Sequence, residues 1–127
     1  MRDVAEEIGR ERVRDVVVRF YAAVREHPTL SVPFARVTDW THHEDVLTHF
    51  WWTTLGGERY LDYRYRVADR HMEAGFTPPL LEDWHRLFAQ TVKTSLPPEL
   101  AEAWLERARN IGASLLMMHA WREANPT

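Results

Sequence analysis

The stretch WTHHEDVLTHFWWTTL, residues 40–55, decides the fold. Its apolar residues fall at Trp40, Val46, Leu47, Phe50, Trp51 and Leu55, a helical spacing. On a helix, Trp40, Leu47, Phe50 and Trp51 share one face, and His43 sits inside that stripe. A histidine there is either satisfied by a hydrogen bond in the core or aimed at a buried ligand. Two other helices carry polar-tipped aromatics on their apolar faces, Tyr21 and Trp84, and His71 lies in a connector between helices. Four polar groups converging on one interior point to a pocket.

Outward from that stretch the chain reads as helices. Ile8, Val13, Val16, Val17, Phe20, Tyr21 and Val24 keep helical spacing over the first 27 residues, and Gly9 divides a short leading helix from a longer one. His27-Pro28 ends it, because a residue before proline avoids the helical basin. Residues 29–35 form a short connector with one tight turn that delivers Pro33-Phe34. Asp39 or Thr38 caps the next helix, which stops at Gly56-Gly57. Residues 58–75 are the least regular, a loop leading into a short helix near Val67 to Ala74. Thr77-Pro78 then starts a helix reaching about Ser95, and Leu96-Pro97-Pro98 breaks it. Leu100, Trp104, Leu105, Ala108, Ile111 and Leu115 mark a last helix that frays after Trp121. The class expected is all-α, in a single domain over residues 1–127.

Bulk properties exclude several functions. A net charge of −3 with no basic run argues against nucleic acid as the main partner. No segment approaches ~20 uninterrupted apolar residues, so no membrane span is expected, and the lack of a secretory pattern at the N-terminus points to the cytoplasm. Zero cysteines exclude disulfides, thiolate zinc, iron–sulfur clusters and cysteine nucleophiles. Lys93 is the one lysine against fifteen arginines, a coding bias that suggests a bacterial source. Six Trp, four Tyr and five Phe give enough planar area to line a flat, bulky ligand, although core packing uses such residues as readily.

Seven histidines raise the question of metal. A di-iron bundle needs repeated Glu-x-x-His pairs on facing helices. Glu82-Asp83-Trp84-His85 is one such pair, but Glu82 falls on the solvated side of its helix, and the first helix offers Val, Phe and Tyr where carboxylates are needed. Hydrolytic and nucleotide-binding motifs are absent. A haem pocket needs an imidazole ligand, apolar walls and distal hydrogen-bond donors. His71 taken alone reads as a surface residue and His43 alone as a satisfied core histidine; their combination with Tyr21, Phe34 and Trp84 shifts the reading to haem.

At these positions the chain resembles the truncated haemoglobins of the third group. The resemblance lies in the order Phe20-Tyr21, Val24-Arg25, Pro33-Phe34, Trp40-x-x-His43, Phe50-Trp51, Leu55-Gly56, His71 and Trp84-x-x-Leu87-Phe88, spanning about residues 8 to 118. It implies a shortened globin, a two-over-two helical sandwich around haem b (iron protoporphyrin IX). It implies His71 as proximal iron ligand and Tyr21, His43 and Trp84 on the distal side. Phe34 packs on the porphyrin face in this reading; Leu47, Phe50 and Trp51 are walls, with Phe20, Trp40, Phe76 and Phe88 completing the pocket. Tyr63, Arg64, Arg66 and Arg70 are candidates for the haem propionates by position. The run from Tyr60 to His71 is longer than the family's, and a Tyr-Arg alternation stands where the family has glycine and proline.

Function follows from the donors. Tyr21 and Trp84 would slow the release of oxygen, favouring sequestration of O2, NO or CO, or redox chemistry of nitric-oxide-dioxygenase or peroxidase type served by a reductase, over oxygen delivery. His43 either gates the pocket or ligates the iron, and a gate is expected. Two readings of another class stand beside this one, a haem-free sensor or interaction module and a binder of some other hydrophobic ligand.

Overall fold

The computed structural model describes residues 3–62 and 76–125, which form six helices. They are α1 (Val4–Ile8), α2 (Arg10–Glu26), α3 (Ser31–Phe34), α4 (Trp40–Thr54), α5 (Pro78–Ser95) and α6 (Pro98–Ala124). Among the described residues there is no strand. The expected short helix near Val67 to Ala74 lies outside them.

Local chemistry sets the boundaries. Gly9 separates α1 from α2 at φ 87°, a left-handed conformation that glycine adopts without strain. His27 caps α2 in extended backbone just before Pro28. The tight turn expected around Phe34 is α3, one turn long. Asp39, not Thr38, starts α4, its carboxylate accepting the His42 N–H at 3.1 Å. The chain leaves α4 through Gly56 at φ 106°, and the Ala5 N–H donates to the Leu55 carbonyl at 3.1 Å, tying α1 to that end. Thr77 opens α5 by accepting the Leu80 N–H.

Packing pairs α2 with α4 and α5 with α6, and contact between α2 and α5 joins the pairs. This is the all-α class expected from the sequence. The centre is aromatic: Trp104, Phe20 and Phe88 are almost wholly buried, and Trp51 and Trp84 nearly so. Trp84 stacks on Phe88 at 4.7 Å between centroids, Trp51 stacks on Phe88 at 5.2 Å, and Phe20 meets both Trp84 and Phe88 edge-on. Each such ring buries ~150–250 Å² at ~25 cal/mol per Å², several kcal/mol apiece before chain entropy is counted. An exposed ion pair such as Arg14–Asp45 contributes ~0–1 kcal/mol, so the rings dominate the fold.

One junction holds the stretch that follows α4. The buried His49 accepts the N–H groups of both Tyr60 and Leu61 at 3.3 Å through Nε2, and its ring meets Tyr60 edge-on. Trp52 donates its indole N–H to the Glu58 carbonyl at 2.9 Å while lying where a Cβ on Gly57 would sit. Arg10 stacks on Tyr60 at 4.1 Å. Together these groups fix the path up to Asp62.

Candidate functional site

The cavity at the heart of the molecule is built from five helices. Helix α2 supplies Tyr21, α3 supplies Phe34, and α4 supplies Leu47, Phe50 and Trp51. Helix α5 adds Leu81, Trp84 and His85, and α6 adds Ala108, Ile111, Gly112 and Leu115. Its enclosed free volume is about 30 Å³. That is room for about two water molecules, and the lining is chiefly apolar.

Periodicity brings the polar tips together. Tyr21 is one turn before Val24 on the buried face of α2, and its ring meets His43 edge-on at 4.8 Å, Phe34 at 5.5 Å and Trp40 at 5.9 Å. His43 is thus boxed on three sides, with Trp40 at 5.4 Å and Phe34 at 6.0 Å from its ring. Its Nε2 is buried and has no hydrogen-bond partner among the described residues. Across the cavity Trp84 stands against Trp51 and Phe88. Phe76 is buried and reaches Phe34 at 6.5 Å, so it closes the same region.

An outer layer holds the box shut. Arg25 stacks over Trp40 at 4.0 Å and approaches Glu44 at 3.6 Å. Burial pushes the His43 pKa down from 6.5 to about 4, and the nearby positive charges of His42 and Arg25 push in the same direction. The ring is therefore neutral at physiological pH. Burial also lowers His49 and His85, with Arg59 and Arg109 adding to the respective shifts.

A pH dependence of stability follows. Above pH 6.5 His43 is neutral whether the chain is folded or not. As pH falls from 6.5 towards 4 the unfolded chain takes up a proton that the folded chain refuses, so stability drops across that window and levels off below it. With the shift discounted for partial exposure, the loss from His43 is ~2 kcal/mol. Melting temperature followed by circular dichroism is expected to fall over this window. His43→Phe removes the His43 part and leaves the smaller share from His49 and His85.

A family model of the bacterial-like globins matches residues 4–116. The chain belongs to the bacterial-like globin family. No curated protein matches it. Membership of this globin family implies haem binding in general, and the cavity can be tested against that requirement. A haem site wants apolar walls and a polar group turned to the ligand side. The walls are present in Leu47, Phe50, Trp51, Leu81 and Leu115, Tyr21 and Trp84 bring polar tips to the lining, and His43 packs behind Tyr21 with its Nε2 buried and without a partner among the described residues. The residues present fit the cofactor.

Placement of the expected site residues in this globin is uneven. Tyr21, Phe34, Leu47, Phe50, Trp51 and Trp84 line the cavity, and His43, Trp40, Phe20, Phe76 and Phe88 pack around it. His71 and the propionate candidates Tyr63, Arg64, Arg66 and Arg70 lie outside the described residues. Glu82, whose pairing with His85 raised the di-iron reading, is exposed. The sequence reading gave two histidines of this globin no place in the core or the pocket. His49 carries apolar neighbours on both sides at helical spacing, a signal of burial. His85 follows Trp84 directly and reaches the cavity wall because Gly112 leaves room for it.

Proposed function

We propose that this globin is a truncated haemoglobin of the third group, a single domain that binds haem b through His71 and takes O2, NO or CO on the side faced by Tyr21, His43 and Trp84. The observation that carries this reading is that Tyr21 and Trp84 line one apolar cavity while His43 packs edge-on against Tyr21, its Nε2 buried and without a partner among the described residues. In the family such a residue set serves bound diatomic ligands.

Ferrous haem, when bound, supplies a metal site that attracts diatomic ligands and places partial negative charge on their outer atom. The chain does the rest. Tyr21 donates its hydroxyl proton and Trp84 its indole N–H towards that charge, in a space that Phe34, Leu47 and Trp51 keep apolar. His43, neutral and boxed by Tyr21, Phe34 and Trp40, controls access from the Arg25–Glu44 side. Slow release suits sequestration, or redox chemistry of O2, NO or peroxide fed by a reductase, in a bacterial cytoplasm. Among the described residues no helix is long and apolar enough to cross a membrane.

Haemin titrated into the purified protein tests the proposal. Saturation at one haem per chain with a strong Soret band is expected, and a titration without saturable binding overturns it. The role of His43 is read from the ferric spectrum beside that of His43→Leu. A gate leaves the spin state of the two unchanged and speeds ligand entry in the variant. A low-spin wild type turning high-spin in His43→Leu would make His43 an iron ligand instead.

A further inference from the structure

The wall between α5 and α6 contains a contact that only a glycine permits. A Cβ built on Gly112 would lie 2.1 Å from His85 Nε2 and 2.9 Å from its Cε1, so the tip of the imidazole occupies the place where any other residue would put its side chain. His85 and Gly112 both line the cavity, with Ala108, Ile111 and Leu115 beside them on α6. Of these, His85 and Ile111 are half-buried while Ala108, Gly112 and Leu115 are buried, so the seam runs from the surface to the cavity.

Nothing polar holds the ring in its notch. His85 makes no hydrogen bond among the described residues, and its ring contact is the edge-on one to the adjacent Trp84 at 5.3 Å. Burial and the charge of Arg109 keep it neutral, so no ion pair anchors it. Seated by packing alone at the rim of an apolar cavity, such a ring turns outward about its side-chain bonds without breaking any polar bond.

We infer that His85 seated against Gly112 is a side door, opening the α5–α6 seam to small uncharged molecules by a route separate from His43. The cavity behind it is apolar, which suits dissolved diatomic gases and excludes ions. For the identity of those gases as ligands the inference rests on the haem reading; the door itself does not.

The test uses two variants and their combination. His85→Ala removes the door, and Gly112→Ala pushes the ring out of the notch. In the ferrous haem protein, each is expected to raise carbon monoxide association after flash photolysis several-fold. Escape rises by the same factor and affinity is unchanged, because a door alters rates and not the equilibrium. Gly112→Ala placed in the His85→Ala background adds nothing further. Xenon exchange followed by 129Xe NMR on the protein as purified reads the same door without haem chemistry, and speeds up in both single variants. Should haemin fail to bind, the xenon measurement still decides. Unchanged xenon exchange in both variants overturns the door. A carbon monoxide affinity that shifts with the rates also overturns it, making His85 a ligand contact.

Discussion

Replacing His71 with alanine is expected to strip haem from the protein, so that the Soret band of the purified variant is lost or greatly weakened. The proposed reading gives His71 the only bond from protein to iron that haem retention requires. The other histidines have different duties or positions. His49 accepts two backbone N–H groups, and His27 Nδ1 accepts the N–H of Thr29 and Leu30. His119 faces Glu123 one turn away on α6, and His42 is exposed at the start of α4. His43 is boxed on the ligand side, and His85 is seated on Gly112. His85→Ala is therefore expected to keep its Soret band where His71→Ala loses it. Imidazole added to His71→Gly should restore much of the absorption by filling the vacated position. A His71→Ala protein with an unaltered spectrum would remove His71 from the iron.

The helices were legible because their signals are local. Asp39, Thr77, Gly9 and the His27-Pro28 step each act within one turn, and each stands at a boundary where the sequence reading put it. The cavity lining was legible for a related reason: Tyr21, Phe34, Leu47, Phe50, Trp51 and Trp84 sit at core-facing positions, so helices packed on their apolar faces bring them to one cavity. The two contacts that escaped the reading are both long-range. His85 stands among Asp83 and Arg86 in sequence, yet Gly112, on another helix, leaves a notch for its ring. His49 looks like one more core residue until the chain returns Tyr60 and Leu61 to its Nε2. No spacing rule within one helix reports such meetings. Gly112 gave the only hint, a glycine inside an otherwise regular helix, where close approach of a neighbour is the usual reason for it.

Tyr21→Phe and Trp84→Phe are expected to speed oxygen release about tenfold each, and the double variant about a hundredfold. Each donor contributes ~1–2 kcal/mol to holding a ligand with negative charge on its outer atom. Two together give ~2–4 kcal/mol, and every 1.4 kcal/mol is a factor of ten. The two substitutions differ in what else they disturb. Phenylalanine at position 21 keeps the ring that meets Phe34, Trp40 and His43, so only the hydroxyl is lost. At position 84 it also shrinks the stack on Trp51 and Phe88, leaving a small void that loosens the cavity wall. Carbon monoxide separates the two effects, because it carries little charge when bound and feels packing far more than hydrogen bonding. Stopped-flow dissociation of both gases should show a large change for oxygen and a small one for carbon monoxide at Tyr21→Phe. Trp84→Phe should move carbon monoxide somewhat and oxygen more. If the two gases change equally in both variants, Tyr21 and Trp84 act as wall and not as donors, and the case for ligand sequestration falls with them.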